Sequence, residues 1–267
     1  MARILDNLTE LKKLIKRKPF GLITDIDGTI SRTTANLLMA KITKTNRLCL
    51  ATLSNKMALV SVISGRQSQK VKDMVDIDGV VCIGHYGMER WEGNAPLLHP
   101  SAQPYVPYIR ALLKELEVLK SVENILIQDK WAAISVIYRQ SPDIEKARKA
   151  ILDLLNKSSN ARKLRIITEK KVFGIVPPID IDKGTAIADL IQEYRLQGGI
   201  YLGDDTADIP AFRAIHNNTH NTHNYRGLAI AVTCEDTPPE VITEADFTLD
   251  GVQETETLLQ WLEENYI

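Results

Sequence analysis

Apolar positions along the chain follow two rhythms. Ile4, Leu5, Leu8, Leu11, Leu14 and Ile15 recur at spacings of three and four, the stripe of an amphipathic helix that ends in Lys16-Arg17-Lys18 before Pro19. The basic run reads as a solvated helix end. Phe20-Gly-Leu-Ile-Thr-Asp25 is different: short, almost continuously apolar, and closed abruptly by Asp25-Ile26-Asp27-Gly28-Thr29. Such a run predicts a buried strand feeding a loop. The same grammar returns at Ala58–Ile63, which runs into Ser64-Gly65-Arg66, and at Gly199–Leu202, which runs into Gly203-Asp204-Asp205. Helical patterning over Arg66–Val75 and Lys183–Leu196 suits crossovers between them. The fold class expected is therefore α/β: a Rossmann-like parallel sheet whose strand ends line one crevice.

A segment of other character interrupts this core. Three prolines lie between His99 and Pro107, and Pro177-Pro178 forms a second hinge. Between them the pattern predicts helices at 107–120 and 142–156 and strands at 124–128, 131–139, 163–168 and 171–176. That makes a small α+β domain at 99–178, inserted between core segments 1–98 and 179–267. His216-Asn-Asn-Thr-His220-Asn-Thr-His223-Asn224 is read as a polar surface loop, because Asn and Thr are poor helix formers. If it were helical, His216 and His220 would share a face suited to a metal.

Composition narrows the function classes. Of 267 residues, 33 are Lys or Arg and 34 Asp or Glu, a formal net charge of -1. A nucleic-acid coat or a polybasic membrane patch would carry a cationic excess, so neither partner is expected. The longest apolar run, Leu228–Val232, falls far below the ~20 residues that span a bilayer. The first residues show no signal-peptide pattern, and Cys49, Cys82 and Cys234 are odd in number and far apart. A reducing, cytoplasmic setting is the expectation.

The candidate chemistry sits at the strand ends. Asp25-x-Asp27-Gly alone could open a calcium loop, but the twelfth position from Asp25 is Asn36, where such a loop needs Glu. Asp25-x-Asp27-Gly-Thr29, Ser64-Gly65-Arg66, Asp182-Lys183-Gly184 and Gly203-Asp204-Asp205-x-x-Asp208 occur in this order. Together they resemble the haloacid-dehalogenase-like phosphohydrolases over about 20–97 and 178–250. That resemblance implies Asp25 as the nucleophile forming an aspartyl-phosphate, and Asp27 as general acid and base. It implies Mg²⁺ held by Asp25, Asp204 and the backbone carbonyl of Asp27. Ser64, the Gly65 amide and Lys183 would hold the phosphate, with Asp205 and Asp208 behind them orienting metal waters or Lys183. The acid role asks Asp27 to hold a proton part of the time, which burial beside another carboxylate would favour.

Within that superfamily four stretches resemble the trehalose-6-phosphate phosphatases. They are Gly84-His85-Tyr86-Gly87-Met88-Glu89, Asp129-Lys130 with the strand through Tyr138-Arg139, Lys170–Pro178, and Gly203–Phe212. The resemblance implies a phosphorylated sugar as substrate, a cap covering the crevice, Arg66, Glu89 and Lys130 as substrate contacts, and a sugar-phosphate synthase as partner. The sequence departs from that family where Gly174 and Val176 replace a cap Glu and Arg or Lys, and where His85 and Tyr86 replace Asn and His. Phosphorylated glucosylglycerate, mannosylglycerate or glucosylglycerol are therefore alternative substrates. A phosphomutase and a non-catalytic sugar-phosphate sensor are the other readings.

Overall fold

The computed structural model describes residues 1–32, 40–122, 124–169, 171–221 and 224–267. They form two compact units, Met1–Leu97 with Ile181–Ile267, and Leu98–Asp180.

In the first unit the strands are β1 (Phe20–Thr24), β2 (Leu59–Ile63), β3 (Val81–Gly84), β4 (Glu89–Glu92) and β5 (Ala95–Leu98). Its helices in the same half are α1 (Leu8–Leu14), α2 (Lys44–Ser54) and α3 (Ser68–Val75). The second unit supplies α4 (Val106–Leu116), β6 (Leu126–Asp129), β7 (Ile134–Ile137), α5 (Ile144–Lys157), β8 (Arg165–Glu169) and β9 (Val172–Val176). The first unit resumes with α6 (Lys183–Glu193), β10 (Gly198–Gly203), α7 (Ile209–Asn221), β11 (Arg226–Thr233), α8 (Pro239–Glu244), β12 (Phe247–Asp250) and α9 (Gly251–Asn265).

Eight strands form one sheet in the order β12-β11-β10-β1-β2-β3-β4-β5, parallel from β12 through β3, with β4 antiparallel to β3. Both faces are covered, which is why the strands read as continuous apolar runs. Leu22, Val60, Val62, Ile200, Leu202, Ile230 and Val232 point to the side packed by α1, α2 and α9. Ile23, Leu59, Ile63, Tyr201, Ala229 and Ala231 point to the side packed by α6 and α7. The chain builds outward from β1 to β3, then returns to add β10, β11 and β12 on the other flank. The reversal falls between β1 and β10, the position where open α/β sheets bind ligands.

In the second unit, β6-β7-β9-β8 form an antiparallel sheet with α4 and α5 on one face. Ile109, Leu112, Leu116, Ala147, Ile151 and Leu155 meet Ile134, Val136, Phe173 and Ile175 in its core.

Two local expectations are corrected. The amino-terminal stripe is a 3-10 turn (Ile4–Asp6) followed by α1, broken at Asn7, rather than one helix. The stretch read as a loop from His216 continues α7 to Asn221; His223 lies outside the described residues. Tertiary contacts overrule the weak helix propensity there. Ala211, Phe212 and Ile215 bury the preceding turns, the Arg226 guanidinium donates to the Thr219 carbonyl at 2.8 Å, and the Thr219 hydroxyl accepts from the Gly227 amide at 3.0 Å.

Candidate active site

Adjacent strands set the centre of the site. β1 and β10 run parallel with Thr24 opposite Leu202, so Asp25 and Asp204 emerge side by side from neighbouring strand ends. The Asp25 amide donates to the Leu202 carbonyl at 2.9 Å, so its backbone is still fixed by the ladder. Beyond it the chain folds over the buried Ile26, whose carbonyl accepts from the amides of Ile30 and Ser31. Gly28 holds a φ of +83°, and a Cβ there would collide with the Asp204 carboxylate, so only glycine lets this turn approach β10. Thr29 donates to Asp204 Oδ1 at 3.1 Å.

Lys183 reaches the same point from α6. Asp182 caps that helix through a reciprocal hydrogen-bond pair with Thr185, which fixes Lys183 as its first residue. A Cβ at Gly184 would collide with the Pro210 backbone at the start of α7, so glycine permits the close approach of the two helices. The result is a buried ammonium whose Nζ donates to Asp25 Oδ1 at 2.7 Å and to Asp208 Oδ1 at 2.6 Å. Asp208 is saturated: its Oδ1 also accepts from the Tyr201 hydroxyl at 2.6 Å, and its Oδ2 from the amides of Asp204 and Asp205. It fastens Lys183 and the loop, and leaves Asp25 and Asp204 to face a ligand.

The electrostatics follow from burial. Removal from water, opposed by Lys183 and reinforced by Asp208, pushes the Asp25 carboxyl up from 3.8 to about 7. Burial and the neighbouring charges of Asp25 and Asp208 push Asp204 up to about 8. At Lys183 the balance is the reverse: burial alone would depress the ammonium, but the two carboxylates outweigh it and raise it. The site thus holds more negative charge than its one buried ammonium offsets. Oxygens of Asp25, Asp204 and Asp208 lie within 4.8 Å of one another. An all-oxygen set with an uncompensated negative charge fits a hard divalent cation.

The remaining expected residues sort by contact. Ser64 follows β2, the other neighbour of β1, and its buried hydroxyl accepts from the Arg66 amide at 3.3 Å. Asp27 is corrected: it is not buried beside another carboxylate. Its side chain is 27% exposed, and both oxygens accept from Arg66, Nε and Nη2 each at 2.7 Å. The loop projects it outward after Ile26 turns in. Arg66 is accordingly the partner of Asp27 rather than a group open to substrate. Asp205 caps the turn at Thr206–Asp208 through its Oδ1 and does not contact Lys183. Glu89 is corrected as well: it is 3% exposed, and its Oε1 accepts from the Ser68 amide at 2.8 Å and hydroxyl at 2.6 Å. It anchors the start of α3 and is closed to ligands. Lys130 belongs to the second unit, in the β6–β7 turn, where Arg110 binds Asp129 and the Trp131 carbonyl. Tyr201 is not singled out from the sequence, and Thr29 stands in the first motif without the role of donor to Asp204 that the structure gives it. The one signal for Tyr201 is a phenol placed among apolar positions of a buried strand, which needs a hydrogen-bond partner.

The trehalose-phosphatase family model matches residues 23–253, which takes in every residue of this site. The chain belongs to the trehalose-phosphatase family. It is 25% identical over 272 residues to the probable trehalose-phosphate phosphatase D of Arabidopsis thaliana, an alignment covering 96% of this chain and 70% of the relative. Among solved structures, the trehalose-6-phosphate phosphatase C-terminal domain of C. albicans superposes with a TM-score of 0.71 at 17% identity, over 97% of both chains. A haloacid dehalogenase-like hydrolase from Bacteroides thetaiotaomicron superposes with a TM-score of 0.63 at 14% identity, over 91% of this chain and 98% of that one. As a member of this family the chain is a phosphoric monoester hydrolase with the fold of the haloacid-dehalogenase-like enzymes. No helix among the described residues is long and apolar enough to cross a membrane.

Proposed function

We propose that this member of the trehalose-phosphatase family hydrolyses trehalose-6-phosphate to trehalose and inorganic phosphate. The observation that carries the reading is the buried triangle in which Lys183 bridges Asp25 and Asp208 at the β1/β10 switch point. A carboxylate oxygen of Asp25 attacks phosphorus, the ester P–O bond breaks, and Asp27 gives a proton to the departing sugar oxygen. Asp27 then takes a proton from water, which attacks the aspartyl-phosphate and releases phosphate. For either transfer Asp27 must exchange its pairing with Arg66 for the reacting oxygen, and before the first transfer it takes up from water the proton that it gives to the sugar oxygen. Lys183 supplies a fixed positive charge beside the nucleophile, and Ser64 with the Gly65 amide donates to the phosphate oxygens.

Asp25, Asp204 and the Asp27 carbonyl are the groups that would hold Mg²⁺. When bound, the ion supplies charge neutralisation between the anionic ester and the Asp25 carboxylate. Removing it with a chelator is expected to abolish turnover, and Mg²⁺ to restore it.

One observation favours a second substrate. On β9 the positions where the resembled enzymes carry Glu and a basic residue are Gly174 and Val176. A Cβ at Gly174 would meet only Ile167, at ordinary contact, so nothing within that unit requires glycine. Directional partners for sugar hydroxyls are absent at these two positions of the second unit. The test is phosphate release in Mg²⁺ from trehalose-6-phosphate beside glucose-6-phosphate and the phosphates of glucosylglycerol, glucosylglycerate and mannosylglycerate. The highest kcat/KM is expected for trehalose-6-phosphate. A preference of ~10-fold or more for another sugar would replace the substrate, and no release from any would overturn the reading.

A further inference from the structure

The turn after β3 is built at the expense of backbone comfort. His85 and Tyr86 stand consecutively in the left-handed region, at φ of 50° and 59°, although glycines flank them at 84 and 87. Two backbone hydrogen bonds hold the pair: the His85 amide donates to the Arg66 carbonyl at 2.8 Å and the Tyr86 amide to the Ser64 carbonyl at 3.0 Å. His85 is buried, with Nε2 3.9 Å from Glu89 Oε2. Glu89 in turn takes both donors of Ser68. The turn is therefore locked on one side to the phosphate loop and on the other to the start of α3.

What this lock presents is one ring. Tyr86 is 45% exposed, and it lies over Gly65: a Cβ at that position would collide with its ring carbons and its phenolic oxygen. Of the other tyrosines in the first unit, Tyr201, Tyr225 and Tyr266 are buried and Tyr194 is partly buried. Core packing does not account for Tyr86, because nearly half of it remains open. Strain that the surroundings over-determine is a mark of ligand sites. Here it fixes a partly exposed aromatic ring over Gly65, in the loop that follows the strand next to the one that carries Asp25.

We propose that Tyr86 is a specificity-determining residue that receives the sugar part of the substrate. A pyranose offers a flat C–H face to an aromatic ring and hydroxyls to a phenol, and an acyclic alcohol offers no such face. The inference rests on the sugar-phosphate reading above. It adds that recognition of the sugar begins in the first unit, at the rim of the phosphate loop.

The test compares Tyr86→Ala and Tyr86→Leu with the unmodified protein in Mg²⁺. Leucine keeps a cover over Gly65 without an aromatic face, which guards against a variant that fails to fold. Two substrates are used: the sugar phosphate with the highest kcat/KM in the panel, and glycerol 1-phosphate, which has no ring. The expected result is that both variants lower the ratio of the two kcat/KM values by ~10-fold or more, chiefly through KM for the sugar phosphate, while Tyr86→Phe stays within ~3-fold of the original ratio. Equal losses on both substrates, or an unchanged ratio, would mean that Tyr86 only covers Gly65, and would overturn the proposal while leaving the function standing. If the unmodified protein shows no preference for sugar phosphates over glycerol 1-phosphate, the functional reading and this inference fail together.

Discussion

Lys183 is the residue on which the site balances. Its ammonium is shared by Asp25 and Asp208, and no other buried cation among the described residues faces them. Lys183→Met should therefore lower kcat by ~10²–10³-fold, since it removes the fixed charge nearest the nucleophile. It should also destabilise the chain, because breaking a buried ion pair costs about 3–5 kcal/mol. Steady-state kinetics and a urea titration check the two arms. A variant with full turnover would show that the bridge is purely structural. The sequence makes Asp25, Lys183 and Asp204 visible, since each follows an apolar run or opens a helix. It hides the pairings. Nothing in the order of residues indicates that Asp27 is clamped by Arg66, that Asp208 is saturated by four donors, or that Glu89 is spent on Ser68. Asp27 and Glu89 find their partners 39 and 21 positions away, and Asp208 finds Lys183 25 positions away. Tyr201 and the amides of Asp204 and Asp205 reach Asp208 within seven positions through the turn, and side-chain type alone does not encode these pairings.

At the scale of elements, the junction of α6 and α7 sets how far Lys183 reaches. Gly184 lies against the Pro210 backbone, and that neighbour, a peptide rather than a flexible side chain, has no room to give. Gly184→Ala should push the helices apart, destabilise the chain by about 1–3 kcal/mol, and lower kcat by displacing Lys183 from Asp25. Thermal unfolding and kinetics together test this; a loss of stability at unchanged kcat would place the lysine's position elsewhere. The strands that carry motifs were legible because burial on both faces gives them continuous apolar runs. β4 and β5 were not: they are the last two strands of the sheet, β5 at its edge, and side chains such as those of Glu92, Ala95 and Leu97 are exposed. The carboxyl half of α7 was missed for a different reason. His216, Asn217 and Asn218 have weak helix propensity, and what keeps them helical is the burial of Phe212 and Ile215 together with the Nε2 contact of His216 to Asp246 at 3.1 Å.

For the whole molecule, the buried carboxylates tie stability to pH. In the unfolded chain Asp25 and Asp204 ionise near 3.8, whereas in the folded, metal-free protein they hold their protons up to about 7 and 8. A raised folded value means that their contribution is full at pH below 3.8 and drains away as pH climbs through the folded values. The raised Lys183 acts in the same sense only at pH above its ordinary 10.5. Calorimetry in chelator should thus show Tm falling between about pH 5 and pH 8, with Mg²⁺ restoring it most at the upper end and Asp204→Asn flattening the slope. A Tm independent of pH over that range, or a metal effect that is largest in acid, would contradict the charge assignment. The central claim, that Asp25 attacks phosphorus, has a more direct test. Protein quenched in acid during turnover of its sugar phosphate with Mg²⁺ should carry a phosphoryl group on the peptide that contains Asp25, and Asp25→Asn should lose both that adduct and turnover by ~10³-fold or more. Wild-type turnover by Asp25→Asn, or an adduct on a different peptide, would contradict it.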